Sequence, residues 1–132
     1  MGTTSQAQTV ITRAEERPRE VWDDPAKGSV AWHTLFSADI TPTDALCAGI
    51  AILSPGGNNP PHRHAEAEIY LILEGSGVLT VDGKESTVTN GAAIFIPGNA
   101  WHALRNSGEG DLRLFYVFPT GRFSDVVYEF PA

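Results

Sequence analysis

The sequence predicts an all-β fold, a sandwich or small barrel, from three observations. From residue 29 onward, short apolar runs alternate with clusters of Gly, Pro, Asn and Asp. The runs are too short for helices and are rich in Val, Ile, Phe and Tyr, the residues that suit a pleated, half-buried surface. One cluster, VDGK, carries the Asp-Gly pair of a tight two-residue hairpin, and many strands at this spacing argue for stacked or closed sheets. With 132 residues the chain is long enough for one domain with a real core and no staples.

Read in order, residues 1–9 are small and polar and are expected to fray. Residues 12–28 are charged and interrupted by Pro18 and Pro25, so residues 1–28 form an irregular, partly flexible arm with at most a short strand. Residues 29–132 form the β-domain. Its expected strands lie in VAWHTLF, ALCAGIAIL, EIYLIL, GVLTV, STV, AAIFI, WHALR, LRLFYVF and DVVYEF. The turns lie in TPTD, SPGGNNPP, EGSG, VDGK, TNG, IPGN, NSGEGD and FPTG, where glycine supplies positive φ. EIYLIL and LRLFYVF are apolar on both parities. One face must meet a core, and the other calls for a second sheet or a partner chain.

Charge and cysteine content narrow the function. A net charge of −7 repels nucleic acid and anionic lipid, so neither is an expected partner. The one cysteine, Cys47, excludes an intrachain disulfide and reads as buried packing, in keeping with a cytoplasmic protein. No apolar run reaches the length of a membrane span. MGTTSQ matches the pattern of a myristoylation signal, but nothing else in the sequence points to a membrane.

The chemistry concentrates in PPHRHAEAEIYLILEGSG, residues 60–77. On an extended chain His62 and His64 share a face, as do Glu68 and Tyr70 in the strand that follows. Two imidazoles and a carboxylate make a partial site for a divalent first-row ion, and such a site needs a further ligand from a neighbouring strand. His102, after the Pro-Gly turn in IPGNAWHALRN, begins such a strand. His33 matches no pattern. Arg63 and Arg105 alternate with their neighbours and read as solvent-facing or structural. Trp22, Trp32 and Trp101 read as packing.

The spacing around both pieces resembles the two motifs of the cupin superfamily. The first is Gly56, five residues, His62, one residue, His64, three residues, Glu68, six residues, Gly75; the second is Gly91, five residues, Pro97, His102 and Asn106. Where that family commonly has a glycine two residues after the proline, this chain has Asn99, which tolerates left-handed backbone. The resemblance implies a double-stranded β-helix, or jelly-roll barrel. It also implies one divalent transition metal on His62, His64, Glu68 and His102, with iron or manganese ahead of nickel, cobalt, copper and zinc.

Tyr70, two residues beyond Glu68, resembles a tyrosine of the small cupin-type lyases that act on dimethylsulfoniopropionate. Tyr128 stands where their second active-site tyrosine falls. The implied reaction is a β-elimination with Tyr70 as general base, releasing dimethyl sulfide and acrylate, and the aromatic faces available to the sulfonium group are Trp32, Trp101, Phe95, Tyr116 and Phe118. The same ligands also suit an Fe(II)-dependent dioxygenase, and a non-enzymatic metal- or small-molecule-binding protein would keep the barrel without turnover. A small-molecule substrate and a homodimer complete the expectation.

Overall fold

A computed structural model of the chain describes residues 6–131; all but the last residue of the MGTTSQ pattern lies outside them. Ten strands follow one another as β1 (Glu20–Val21), β2 (Ala31–Phe36), β3 (Cys47–Leu53), β4 (Asn58–His62), β5 (Glu68–Glu74), β6 (Ser76–Val81), β7 (Lys84–Thr89), β8 (Ala93–Ile96), β9 (His102–Asn106) and β10 (Leu112–Phe118). Short 3-10 turns occupy Ala14–Glu16, Pro25–Lys27 and Phe123–Asp125. Among the described residues no helix is long and apolar enough to cross a membrane.

The strands form two antiparallel sheets. One has six strands in the order β1-β2-β3-β10-β5-β8, the other four in the order β4-β9-β6-β7. The sequence-adjacent strands β4, β5 and β6 alternate between the sheets, so the chain crosses from one layer to the other twice within the first motif. The second crossing turns at Gly75, whose φ is 90° and where a Cβ would strike the carbonyl of Asp111. Leu53, Ile72, Leu79, Ile96, Leu104, Leu112, Leu114 and Phe118 fill the space between the layers.

Local chemistry explains the turns. Asp82 and Gly83 have φ of 48° and 83° and join β6 to β7, the hairpin expected from VDGK. Asn99 adopts φ 66°, the left-handed conformation required where the glycine is replaced. β4 was not expected, because NNPPH reads as turn material. It is tolerated because β4 is the edge of its sheet, and its pairing with β9 breaks between Asn59 and His62, where the prolines lack donors. DVVYEF, read as a strand, instead follows a 3-10 turn as an open segment. It touches the barrel through one antiparallel bridge between Arg63 and Glu129.

The N-terminal arm lies against the barrel. β1 pairs with β2, Gln8 N–H donates to the Pro42 carbonyl, and Arg17 Nε donates to the Thr34 carbonyl at 3.2 Å. His33 Nδ1–H donates to the Arg17 carbonyl at 3.0 Å, a role in fastening the arm. Cys47 is fully buried in β3, and burial first, then the Glu66 and Glu68 carboxylates, push its thiol up to about 12.

The outer faces of the two sheets differ. The four-stranded sheet ends in β7, KESTVT, whose side chains are mostly exposed and polar. The six-stranded sheet exposes Ile69, Leu71 and Leu73 of β5 and Phe95 of β8. The second sheet covers only its inner face, so the second apolar parity of EIYLIL is left in the open.

Candidate metal centre

His62 ends β4, His102 opens β9, and the two are register partners; Glu68 opens β5 in the opposite sheet, and His64 sits in the crossing between them. All four side chains are buried. One ring nitrogen from each of His62, His64 and His102 lies within 4.8 Å of the others. The ring centroids stand 4.2 Å (His62–His102), 5.1 Å (His64–His102) and 6.0 Å (His62–His64) apart.

Backbone carbonyls set the tautomers. Nδ1–H donates to the Pro60 carbonyl from His62 at 2.8 Å, to the Glu66 carbonyl from His64 at 2.9 Å, and to the Ala100 carbonyl from His102 at 2.9 Å. A carbonyl only accepts, so each neutral ring carries its hydrogen on Nδ1 and turns the lone pair of Nε2 inward. Glu68 Oε1 stands 3.2 Å from His64 Nε2 and 3.4 Å from His102 Nε2. His102 Nε2 is buried with no hydrogen-bond partner. Lone pairs crowded this closely repel unless a positive charge sits among them, as a proton or a cation. Three imidazole nitrogens and a carboxylate fit a divalent transition metal, and the fixed Nδ1–H bonds orient the rings for it.

Titration behaviour agrees with that geometry. Burial, followed by the neighbouring His102, lowers His62 to about 4, so it is a neutral donor at ordinary pH. Burial depresses His64 as well, but the hydrogen bond and charge of Glu68 outweigh it and leave His64 above its usual value. Burial pushes Glu68 up, while His102 and His64 pull harder and hold its carboxyl low.

A cavity of about 530 Å³ opens from this cluster and is lined by His62 and Glu68 at one end. All three tyrosines of the chain, Tyr70, Tyr116 and Tyr128, line it, together with Trp22 and Trp32. Tyr70 and Tyr116 are register partners on β5 and β10. The Tyr70 ring lies 6.5 Å from His102, and Tyr128 lies 5.5 Å from His64 and 6.1 Å from His62. Trp22 is 5.5 Å from Tyr128 and 5.1 Å from Trp32, so aromatic rings run outward from the histidines. Burial, then the Glu68 charge, raises the phenols of Tyr70 and Tyr128 above the usual tyrosine range. Glu20 and Asp39 also line the cavity, and no lysine or arginine is among its described lining residues.

The six residues singled out by sequence therefore converge on one place. Sequence reasoning named Tyr116, Trp32 and Phe118 as available aromatic faces without placing them; all three line the cavity, as does Trp22, which it read as packing. Tyr116 carries a parity signal, shared with Leu112, Leu114 and Phe118, but both parities of β10 are apolar and the strand alone does not say which faces inward. Trp22 belongs to the arm, outside any motif.

Comparison with known proteins follows the same lines. The family model described as "Cupin domain" matches residues 49–118. The chain is 40% identical over 119 residues to the dimethylsulfoniopropionate lyase DddW of Ruegeria pomeroyi, covering 90% of this chain and 78% of that one. It is 36% identical over 61 residues to gentisate 1,2 dioxygenase 1 of Aquipseudomonas alcaligenes, covering 46% of this chain and 18% of that one. The solved structure of the polyketide cyclase RemF from Streptomyces resistomycificus superposes with a TM-score of 0.78 at 24% identity, covering 95% of this chain and 88% of that one, a likeness of fold.

Proposed function

The chain belongs to the cupin family, and we propose that it is a metal-dependent lyase of that family that splits dimethylsulfoniopropionate into dimethyl sulfide and acrylate. The observation that carries this reading is the sign of the cavity. Its walls are largely aromatic, with no lysine or arginine among the described lining residues, so the full positive charge that would draw a substrate carboxylate belongs to the metal end. A sulfonium group suits the remaining aromatic walls, where the Trp32, Tyr70 and Tyr116 rings and the Glu20 carboxylate favour positive charge, while Lys27 already lies over Trp22 and Phe130 and Asp39 pairs with Arg122. The 40% identity to a dimethylsulfoniopropionate lyase supports the same substrate.

His62, His64, Glu68 and His102 would hold the ion, iron or manganese before the others. When bound, it would draw charge from the substrate carboxylate and lower the pKa of a nearby phenol. Tyr70 acts as the base. Its phenolate takes the proton from the carbon beside the carboxylate, the C–H pair becomes the double bond, and the C–S bond breaks with its electrons leaving on neutral dimethyl sulfide. Tyr128 closes the site over the histidines and keeps water from the reacting carbon. The barrel works as a homodimer, in which a second copy covers the apolar outer face of β5 and β8.

The test is an assay of dimethyl sulfide release under nitrogen with Fe(II) or Mn(II), alongside measurement of bound metal. Metal-dependent release without oxygen supports the lyase. Turnover that instead consumes oxygen would replace this reading with an oxygenase, which the similarity to gentisate dioxygenase favours. Ligand binding without turnover would make the protein a binding module.

A further inference from the structure

We propose that Arg63 is a positioning residue that holds Tyr128 at the metal centre by clasping Glu129 on the outside of the barrel. The inference rests on the lyase reading for its activity measurements. Arg63 lies between His62 and His64, and alternation turns it outward as they turn inward. Its Nε donates to Glu129 Oε2 at 2.8 Å, and its guanidinium lies 4.6 Å from the ring centroid of Trp101. Trp101 in turn precedes His102. Both ligand-bearing segments thus send their outward neighbour to the same clasp. The two backbones also pair, with Arg63 N–H donating to the Glu129 carbonyl at 3.0 Å and Glu129 N–H to the Arg63 carbonyl at 2.8 Å.

The partner segment needs such a fixture. Residues 126–130 follow a 3-10 turn, and their β-pairing to the barrel, among the described residues, is that single bridge. Inside, the segment presents Tyr128 against His64 and Phe130 6.0 Å from His62. Glu129 therefore sits between two rings that face the centre, and whatever fixes Glu129 fixes them. The clasp is half-exposed, so it sets the population of the docked segment rather than the fold.

The experiment compares Arg63→Ala, Tyr128→Ala and the double variant, with Arg113→Ala as control, since Arg113 pairs with Glu74 at 3.8 Å away from the cavity. Arg63→Ala should shift the docking equilibrium roughly three- to tenfold toward the open segment, the scale of one exposed ion pair plus one cation–π contact, and lower kcat by up to that factor. Bound metal should be unchanged, and the amides of residues 127–130 should exchange faster. In the Tyr128→Ala background, where the ring that closes the site is gone, the same change should have no further effect on kcat. Loss of metal together with rate would show that Arg63 supports the ligands instead, and an undiminished effect in the Tyr128→Ala background would show that it acts elsewhere. Either outcome overturns the proposal, as does unchanged amide exchange. If the wild type releases no dimethyl sulfide, the lyase reading fails, while the exchange measurement still decides the clasp.

Discussion

The two faces of β5 make unlike demands on one strand. Inward, Glu68, Tyr70 and Ile72 are 5%, 3% and 1% exposed; outward, Ile69, Leu71 and Leu73 are 46%, 39% and 41% exposed. Residues one step apart therefore face the candidate metal centre and core on one side, and an open apolar surface on the other. A pleated strand makes this possible because successive side chains point to opposite faces. The difference teaches that hydrophobicity alone does not tell inside from outside here. Glu68, the one buried charged residue of β5, marks the inner face better than any leucine.

Substitutions along β5 sharpen that contrast. The largest effect expected is on rate. Tyr70→Phe should lower turnover by roughly 10²–10⁴ while leaving bound metal in place, the range for loss of a positioned base; equal turnover in both proteins would remove Tyr70 from the mechanism. Ile72→Ala, at the same inward parity, should cost about 2–5 kcal/mol of stability by emptying a filled core, read as a lowered midpoint of chemical denaturation. Glu68→Gln should weaken metal binding by about tenfold or more, measured by titration of the metal-free protein. It also removes an acid-sensitive step. Glu68 is held below its usual pKa when folded, so its contribution is full above the unfolded value of about 4.3 and is lost as pH falls through the lower folded value. The smallest effect on stability belongs outside: Leu71→Glu should change it by no more than about 0.5 kcal/mol. It should nonetheless turn a dimer into a monomer in light scattering, and a wild type that is already monomeric would break the symmetry of purpose assigned to the two faces.

Much of this was readable before any coordinates. The sheet class followed from run length and turn residues, and the four side chains that meet at the candidate centre were singled out by the resemblance of two spaced motifs to a known family. β4 was hidden because two prolines disguise an edge strand as a turn. DVVYEF looked like a strand because its residues favour one, yet no neighbouring edge accepts it beyond Glu129. Tyr116 was named among the aromatic residues but not placed, for a third reason. Its inward direction comes from pairing with Tyr70 and Gly49, a register that a single run of sequence does not contain. Local chemistry was thus recoverable where a side chain's neighbours lie along the chain, and lost where they arrive from across a sheet.

Cys47 has a practical consequence. It is the chain's one sulfhydryl, fully buried and kept in the unreactive thiol form. The wild-type molecule is therefore a blank background for thiol-directed probes. A cysteine placed at Val127, which is 73% exposed, would be the single reactive sulfur, so a fluorophore or spin label attached there would track the C-terminal segment without any native thiol having to be removed first.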